Sequence, residues 1–298
     1  MIAMSRKIFI HIGSPKTATT TLQSALIQKV PGSLVQKGVD KFIRERILSP
    51  NFHKPGIFEK TCDEFLAMAG TPVTEPLFVS AEGLMGPPVG RGKFFPRILS
   101  LHAMIQYYTG SGHEVHVLFV PRKPAKFLES WYVQMVSTGH YAGSFAHFID
   151  TECNEPFSWS WVTNMLRQTS ASVTVLPYEM LLQNRELFVE ALNGFFQCDG
   201  LFSIDNFGLF YNKTISEESM KAMQIISQIK DKGLVRKLEL FVRDVVDGDR
   251  LDHNSGSNFT RPYIAGTLLR RGIEAALEPA DILFRDTDIP EEYRSYYA

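Results

Sequence analysis

Apolar residues follow two rhythms along this chain. Four runs, Lys7–Ile12 (KIFIHI), Leu77–Ala81 (LFVSA), Val115–Val120 (VHVLFV) and Val173–Leu176 (VTVL), are short, β-branched or aromatic, and show little polar alternation. Strands buried on both faces of a parallel sheet have this character. Between them the apolar spacing becomes helical. Thr19–Lys29 sets Leu22, Ala25 and Leu26 on one face, and Lys93–Tyr108 follows the second strand. Pro124–Val136 spaces Phe127, Trp131 and Met135 by four and opens on a proline suited to a first helical turn. Strands alternating with helices predict an α/β fold of three layers, with a parallel sheet in the middle.

The last third changes character. Ser216–Ile229 and Leu234–Val246 read as amphipathic helices separated by Asp231-Lys232-Gly233. Asp247–Pro262 (DGDRLDHNSGSNFTRP) is polar and rich in turn formers, so a mobile loop is expected there. A last helix, about Tyr263–Leu277, precedes an acidic, aromatic tail. Residues 30–76 and 137–160 read as loop material. The expected organisation is one domain over 1–298, with an α/β core at 7–182 and a mainly helical portion at 183–298.

Composition narrows the function. The 31 basic and 32 acidic residues nearly cancel, so the global positive field of a nucleic-acid-polymer binder is missing. Cys62, Cys153 and Cys198 are too scattered for a disulfide framework or a zinc site. No 18-residue apolar run occurs, and MIAMSRKIFI enters a charged strand directly. The expectation is a cytoplasmic globular protein without a signal peptide or membrane span.

Chemistry concentrates where the first strand ends, in GSPKTATTT (residues 13–21). A glycine turn that opens a helix presents backbone N–H groups and the positive end of the helix dipole, an anion cradle. Lys16 adds a compact cation, and Thr17, Thr19 and Thr20 add hydroxyls. The nucleotide-kinase loop G-x-x-x-x-G-K-[ST] is not matched, because its lysine follows a second glycine. An ordinary threonine-capped βα turn is the bland reading. A second stretch, LFVPRKPAKFLESWY (residues 118–132), runs from strand to Arg122 and then to a helix carrying Ser130. Arginine suits a bidentate phosphate contact and a hydroxyl can complete it.

Together the two stretches resemble the sulfotransferases that use 3′-phosphoadenosine 5′-phosphosulfate (PAPS). Pro15-Lys16-Thr17-Ala18-Thr19-Thr20 resembles that family's P-K-[ST]-[GA]-T-T loop, and Arg122 with Ser130, eight apart, resembles its R-x-x-x-x-x-x-x-S element. VTVLPYEMLL (173–182) resembles its strand ending in Y-E-x-L, and YNKTIS (211–216) a segment frequent in bacterial carbohydrate-type members. The specific likeness covers about residues 7–182. It implies a P-loop nucleotide-hydrolase type of fold. It also implies that Ser14, Pro15, Lys16, Thr17, Ala18, Thr19 and Thr20 bind the 5′-phosphosulfate, and that Arg122 and Ser130 bind the 3′-phosphate. Tyr178 is either an adenine contact or a half-buried core aromatic. Arg261, Arg270 and Arg271 stand weakly for the family's C-terminal basic segment. Ala18 replaces the usual glycine; alanine avoids positive φ, so it is expected to lie already within the helix.

The implied reaction moves a sulfuryl group from PAPS to a hydroxyl or amine of a carbohydrate-like acceptor, without a metal. Lys16 would meet the charge on the leaving phosphate, and a general base would face the sulfuryl group to take the acceptor's proton. Glu82, just past the strand in LFVSAEGL, is that candidate, with His11, His53 and His140 as alternatives. His113 and His116 point to opposite faces of a strand and so do not share a metal. Trp159 and Trp161 could stack on a sugar or pack in the core. The competing functions are a P-loop nucleotide kinase and a non-catalytic PAPS-binding protein.

Overall fold

A computed structural model describes residues 5–14, 17–90, 93–138, 140–152 and 159–207, and Ile225. The C-terminal helices and loop expected at 216–277, and Lys16 itself, lie outside these residues. Contacts divide the described chain into two compact units, one holding 5–123 and 159–207, the other 124–152.

The first unit is built on a five-stranded sheet. Its strands are β1 (Lys7–Gly13), β2 (Leu34–Val35), β3 (Leu77–Ser80), β6 (Glu114–Val120) and β7 (Ser172–Val175). They run in the order β2-β3-β1-β6-β7, every pairing parallel. The four anticipated strands are these to within a residue; β2, only two residues long, is the one that hydrophobic rhythm could not show. A separate antiparallel pair joins β4 (Val89–Gly90) to β5 (Lys93–Phe94).

Both faces of the sheet are covered, which explains the missing polar alternation. On one face Phe9 of β1 stacks on Phe78 of β3, 5.2 Å between centroids. Helices α1 (Thr19–Lys29) and α9 (Arg185–Phe196) close this side through Leu22, Leu26, Phe188 and Phe196. Leu26 is fully buried, so truncation to Ala costs about 2–5 kcal/mol. On the other face α4 (Ile98–Gly110) and α7 (Trp159–Arg167) pack together, with Trp159 set against Phe94, Phe95 and Phe119. The result is the three-layer α/β architecture that the sequence predicts.

Two expectations are corrected. The helix expected at Lys93–Tyr108 starts only at Ile98, because Lys93–Phe94 pairs with β4 and Phe95 has a φ of 40°. Residues 30–76, read as loop, hold α2 (Gln36–Phe42), a π turn (Ile43–Ile47) and α3 (Ile57–Ala67). Likewise 137–160 contains α6 (Phe145–Glu152) and the start of α7. The seven-residue α2 is too short for its pattern to exceed chance, and these segments draw their stability from tertiary burial of Val39, Ile43, Ile47 and Phe65.

The second unit is described by α5 (Pro124–Ser137), which matches its expected span, and α6. Tyr132 of α5 is buried against Phe145 and Phe148 of α6 at 5.2 and 5.6 Å, and its hydroxyl donates to Gly143 O at 2.9 Å. Between the core helices, α8 (Tyr178–Gln183) follows β7 directly.

Candidate active site

Parallel strands deliver their carboxyl ends to one edge of the sheet, and the candidate residues of the first unit gather there. Ser14, just past β1, is tied to the end of β6 twice: its N–H and its hydroxyl both donate to Val120 O, at 3.1 and 2.9 Å. The chain then turns into α1 through Ala18, which has φ 59° and ψ 23° as the N-cap. This overturns the expectation that Ala18 lies within the helix. The β1–α1 reversal requires a left-handed residue at the position where the resembled loop carries glycine, and alanine accepts it at a cost of about 1–2 kcal/mol.

Gly13 shows how closely the turn is drawn. A Cβ there would lie 2.4 Å from Thr19 Cγ2, 2.9 Å from Thr17 Oγ1 and 3.1 Å from His11 Nε2. Only a glycine lets these side chains close over the strand end. The loop's hydroxyls turn inward: Thr17 donates to Ser14 O at 2.6 Å and Thr19 to Glu82 Oε2 at 3.1 Å. Thr17 and Thr19 are buried while Thr20 is exposed. Their visible work is therefore to shape the loop. The first turn of α1 still brings amides that have no intrahelical acceptor, as any helix start does.

Glu82 begins a 3₁₀ turn (Glu82–Met85) directly after β3. The turn is drawn to the cradle because Ala81 N–H donates to His11 O at 3.1 Å, and Gln36 Oε1 accepts from Gly83 N at 2.9 Å. The Thr19 hydroxyl thus joins the helix start to the carboxylate that sequence position alone suggested. That pairing had no signature in the sequence.

The histidines separate. His11 is buried in β1, its Nδ1 2.8 Å from Ser80 Oγ, and its Nε2 finds no hydrogen-bond partner among the described residues. Burial holds its pKa down at about 3, so it stays neutral at ordinary pH. His53 Nε2 lies 3.2 Å from Ser100 Oγ of α4, and His140 belongs with the segment that follows α5. His113 precedes β6 and His116 stacks on Phe9 at 4.8 Å. No metal-binding group of His, Cys, Asp and Glu occurs among the described residues.

Arg122 leaves the end of β6 and holds its guanidinium 5.0 Å from the centroid of the Tyr178 ring. Tyr178 is only 8% exposed and begins α8, with its N–H donating to Pro121 O at 2.8 Å. Arg122 O accepts from Trp159 Nε1, and Glu179 Oε1 accepts from Lys123 N–H, both at 2.8 Å. Burial raises the Glu179 carboxyl pKa, opposed by the Lys123 amide and by the charges of Arg122 and Lys123. Trp159 is thus a core residue, while Trp161 is 44% exposed. Ser130 is half-buried on α5, in the other unit. Arg122 and Tyr178 were legible as candidates from their motifs, whereas Trp159 and Glu179 as their neighbours were not.

Among the described residues no helix is long and apolar enough to cross a membrane. No family model and no curated protein matches the chain. Among solved structures it is similar to the sulfotransferase from Alicyclobacillus acidocaldarius, at 15% identity and a TM-score of 0.43, over 84% of this chain and 96% of that one.

Proposed function

We propose that the protein transfers a sulfuryl group from PAPS to a hydroxyl or amine of a carbohydrate-like acceptor. The observation that carries this reading is the turn between β1 and α1. A P-K-T-A-T-T segment follows the central strand, and the left-handed residue falls at Ala18, where the resembled loop has glycine. The amides and positive dipole end of the helix start fit an anionic group, and the hydroxyls that brace the turn keep its shape without one. Bound PAPS would supply an activated sulfuryl group. Lys16 and the first-turn amides would hold its 5′-side oxygens, with Lys16 meeting charge on the leaving oxygen. Arg122, with Ser130 as the resemblance implies, would take the 3′-phosphate. Glu82 would accept the acceptor's proton as the new S–O bond forms. Positioning and charge stabilisation are the protein's contribution, as in phosphoryl transfer.

One observation favours a second reading. A threonine at a helix start hydrogen-bonded to a strand-end carboxylate, as Thr19 is to Glu82, is also how a nucleotide kinase arranges ligands around Mg²⁺. Incubation with ³⁵S-labelled PAPS and a panel of mono- and oligosaccharides, with Mg²⁺ or with EDTA, separates the two. Label transfer that survives EDTA supports sulfuryl transfer. ATP consumption that needs Mg²⁺, with PAPS inert, supports the kinase and overturns our proposal.

A further inference from the structure

Arg122 is held from several directions at once, by more contacts than an arginine on a loop after a strand requires. Trp159 Nε1 donates to its carbonyl, and Glu179 Oε1 accepts the N–H of the next residue, each at 2.8 Å. The preceding carbonyl, of Pro121, accepts from Tyr178 N–H, also at 2.8 Å. The guanidinium then lies over the Tyr178 ring at 5.0 Å, within the range of a cation–π contact. Trp159, Tyr178 and Glu179 are 1%, 8% and 6% exposed, so all three belong to the packed interior and cannot easily follow a moving loop.

We propose that Trp159, Tyr178 and Glu179 form a seat that fixes the direction of Arg122, and that these positioning residues set the preference for a nucleotide bearing a 3′-phosphate. The inference rests on the sulfotransferase reading and deepens it. An unrestrained arginine loses most of its rotamer freedom when it grips a phosphate, whereas a seated one has lost that freedom already. Tyr178 thereby acts through Arg122, its ring serving as a platform. Glu179 acts through the Lys123 amide, which needs an acceptor oxygen and not a full charge.

The test is the ratio of affinities for adenosine 3′,5′-bisphosphate and adenosine 5′-monophosphate, measured by calorimetry on the full chain. Replacing Tyr178 by pentafluorophenylalanine keeps the ring's shape and reverses its quadrupole. Tyr178→Phe keeps the platform and removes the hydroxyl. Glu179→Ala removes the acceptor, and Glu179→Gln restores it. The ratio should fall about tenfold in the fluorinated and Glu179→Ala proteins, the weight of one partly desolvated contact, and hold in Tyr178→Phe and Glu179→Gln. A purely structural role would weaken both nucleotides equally. An unchanged ratio in the fluorinated protein overturns the seat while leaving the sulfotransferase reading intact. A wild-type protein that binds the two nucleotides equally overturns the 3′-phosphate assignment, and the seat with it.

Discussion

Gly13→Ala probes the cradle with one methyl group. Gly13 does not adopt a positive φ, so the added Cβ brings no backbone strain and its effect is steric. The Cβ would sit 2.4 Å from Thr19 Cγ2, against an optimum of about 3.5–4.0 Å between carbons. Relieving that contact requires Thr19 to retreat by more than an ångström. Thr19 cannot do so privately: it is the first residue of α1 and its hydroxyl holds Glu82. Overpacking of this kind costs about 1–3 kcal/mol, which thermal or urea unfolding would register as a fall in Tm of a few degrees. Thr19→Ser removes the offending methyl and keeps the hydroxyl, so the double variant should recover at least half of the loss. The coupling energy from the double-mutant cycle should be about 1 kcal/mol in favour of the pair. Nucleotide affinity should follow the same order: lowered in Gly13→Ala, partly restored in the double variant. Additive losses, or a Gly13→Ala protein as stable as wild type, would refute the view that Thr19 closes over the strand end.

Three further outcomes are expected. Glu82→Gln keeps the hydrogen-bond acceptor for Thr19 but removes the base, so turnover should fall roughly 10²–10⁴-fold with nucleotide affinity unchanged; retained turnover in a steady-state assay would exclude the role. Lys16→Ala should lower turnover more than affinity for the product nucleotide, and the reverse pattern would make Lys16 a simple anchor. His11, with a folded pKa near 3 against an ordinary 6.5, gives stability that is present above pH 6.5 and lost as pH falls toward 3. Urea unfolding at several pH values should show about 1.4 kcal/mol per unit more acid sensitivity in wild type than in His11→Gln, and parallel pH profiles would contradict the neutral, buried state.

What could be read from residues alone followed from the physics that made each element. KIFIHI and VHVLFV announce themselves because a strand covered on both faces has few polar positions to blur it. The β1–α1 turn was legible as a candidate because an anion cradle would draw on particular residue types in a contiguous run. The two-residue β2 lies below the resolution of any periodic signal, and α2 and α3 are held by burial more than by propensity. Ala18 illustrates a different limit. Its own preference argues against a left-handed cap, and only the geometry of the strand-to-helix reversal overrides it. Likewise nothing about Trp159 in sequence connects it to Arg122 just past the end of β6; that contact exists only once α7 is laid on the sheet.

The parallel order of the sheet carries a consequence for biosynthesis. β1 is the central strand, yet both of its neighbours come later: His11 meets Ser80 across 69 residues, and Ser14 meets Val120 across 106. A chain emerging from the ribosome therefore displays KIFIHIG with no edge to pair against until β3 has been made at residue 80, and with its second edge open until residue 120 of the 298. Closing such long loops comes before any reward from packing, which slows assembly and prolongs the exposure of an aggregation-prone segment. Slowing translation near codon 120 should thus alter the soluble yield of this protein more than the same pause placed near codon 190, after all five strands have been made.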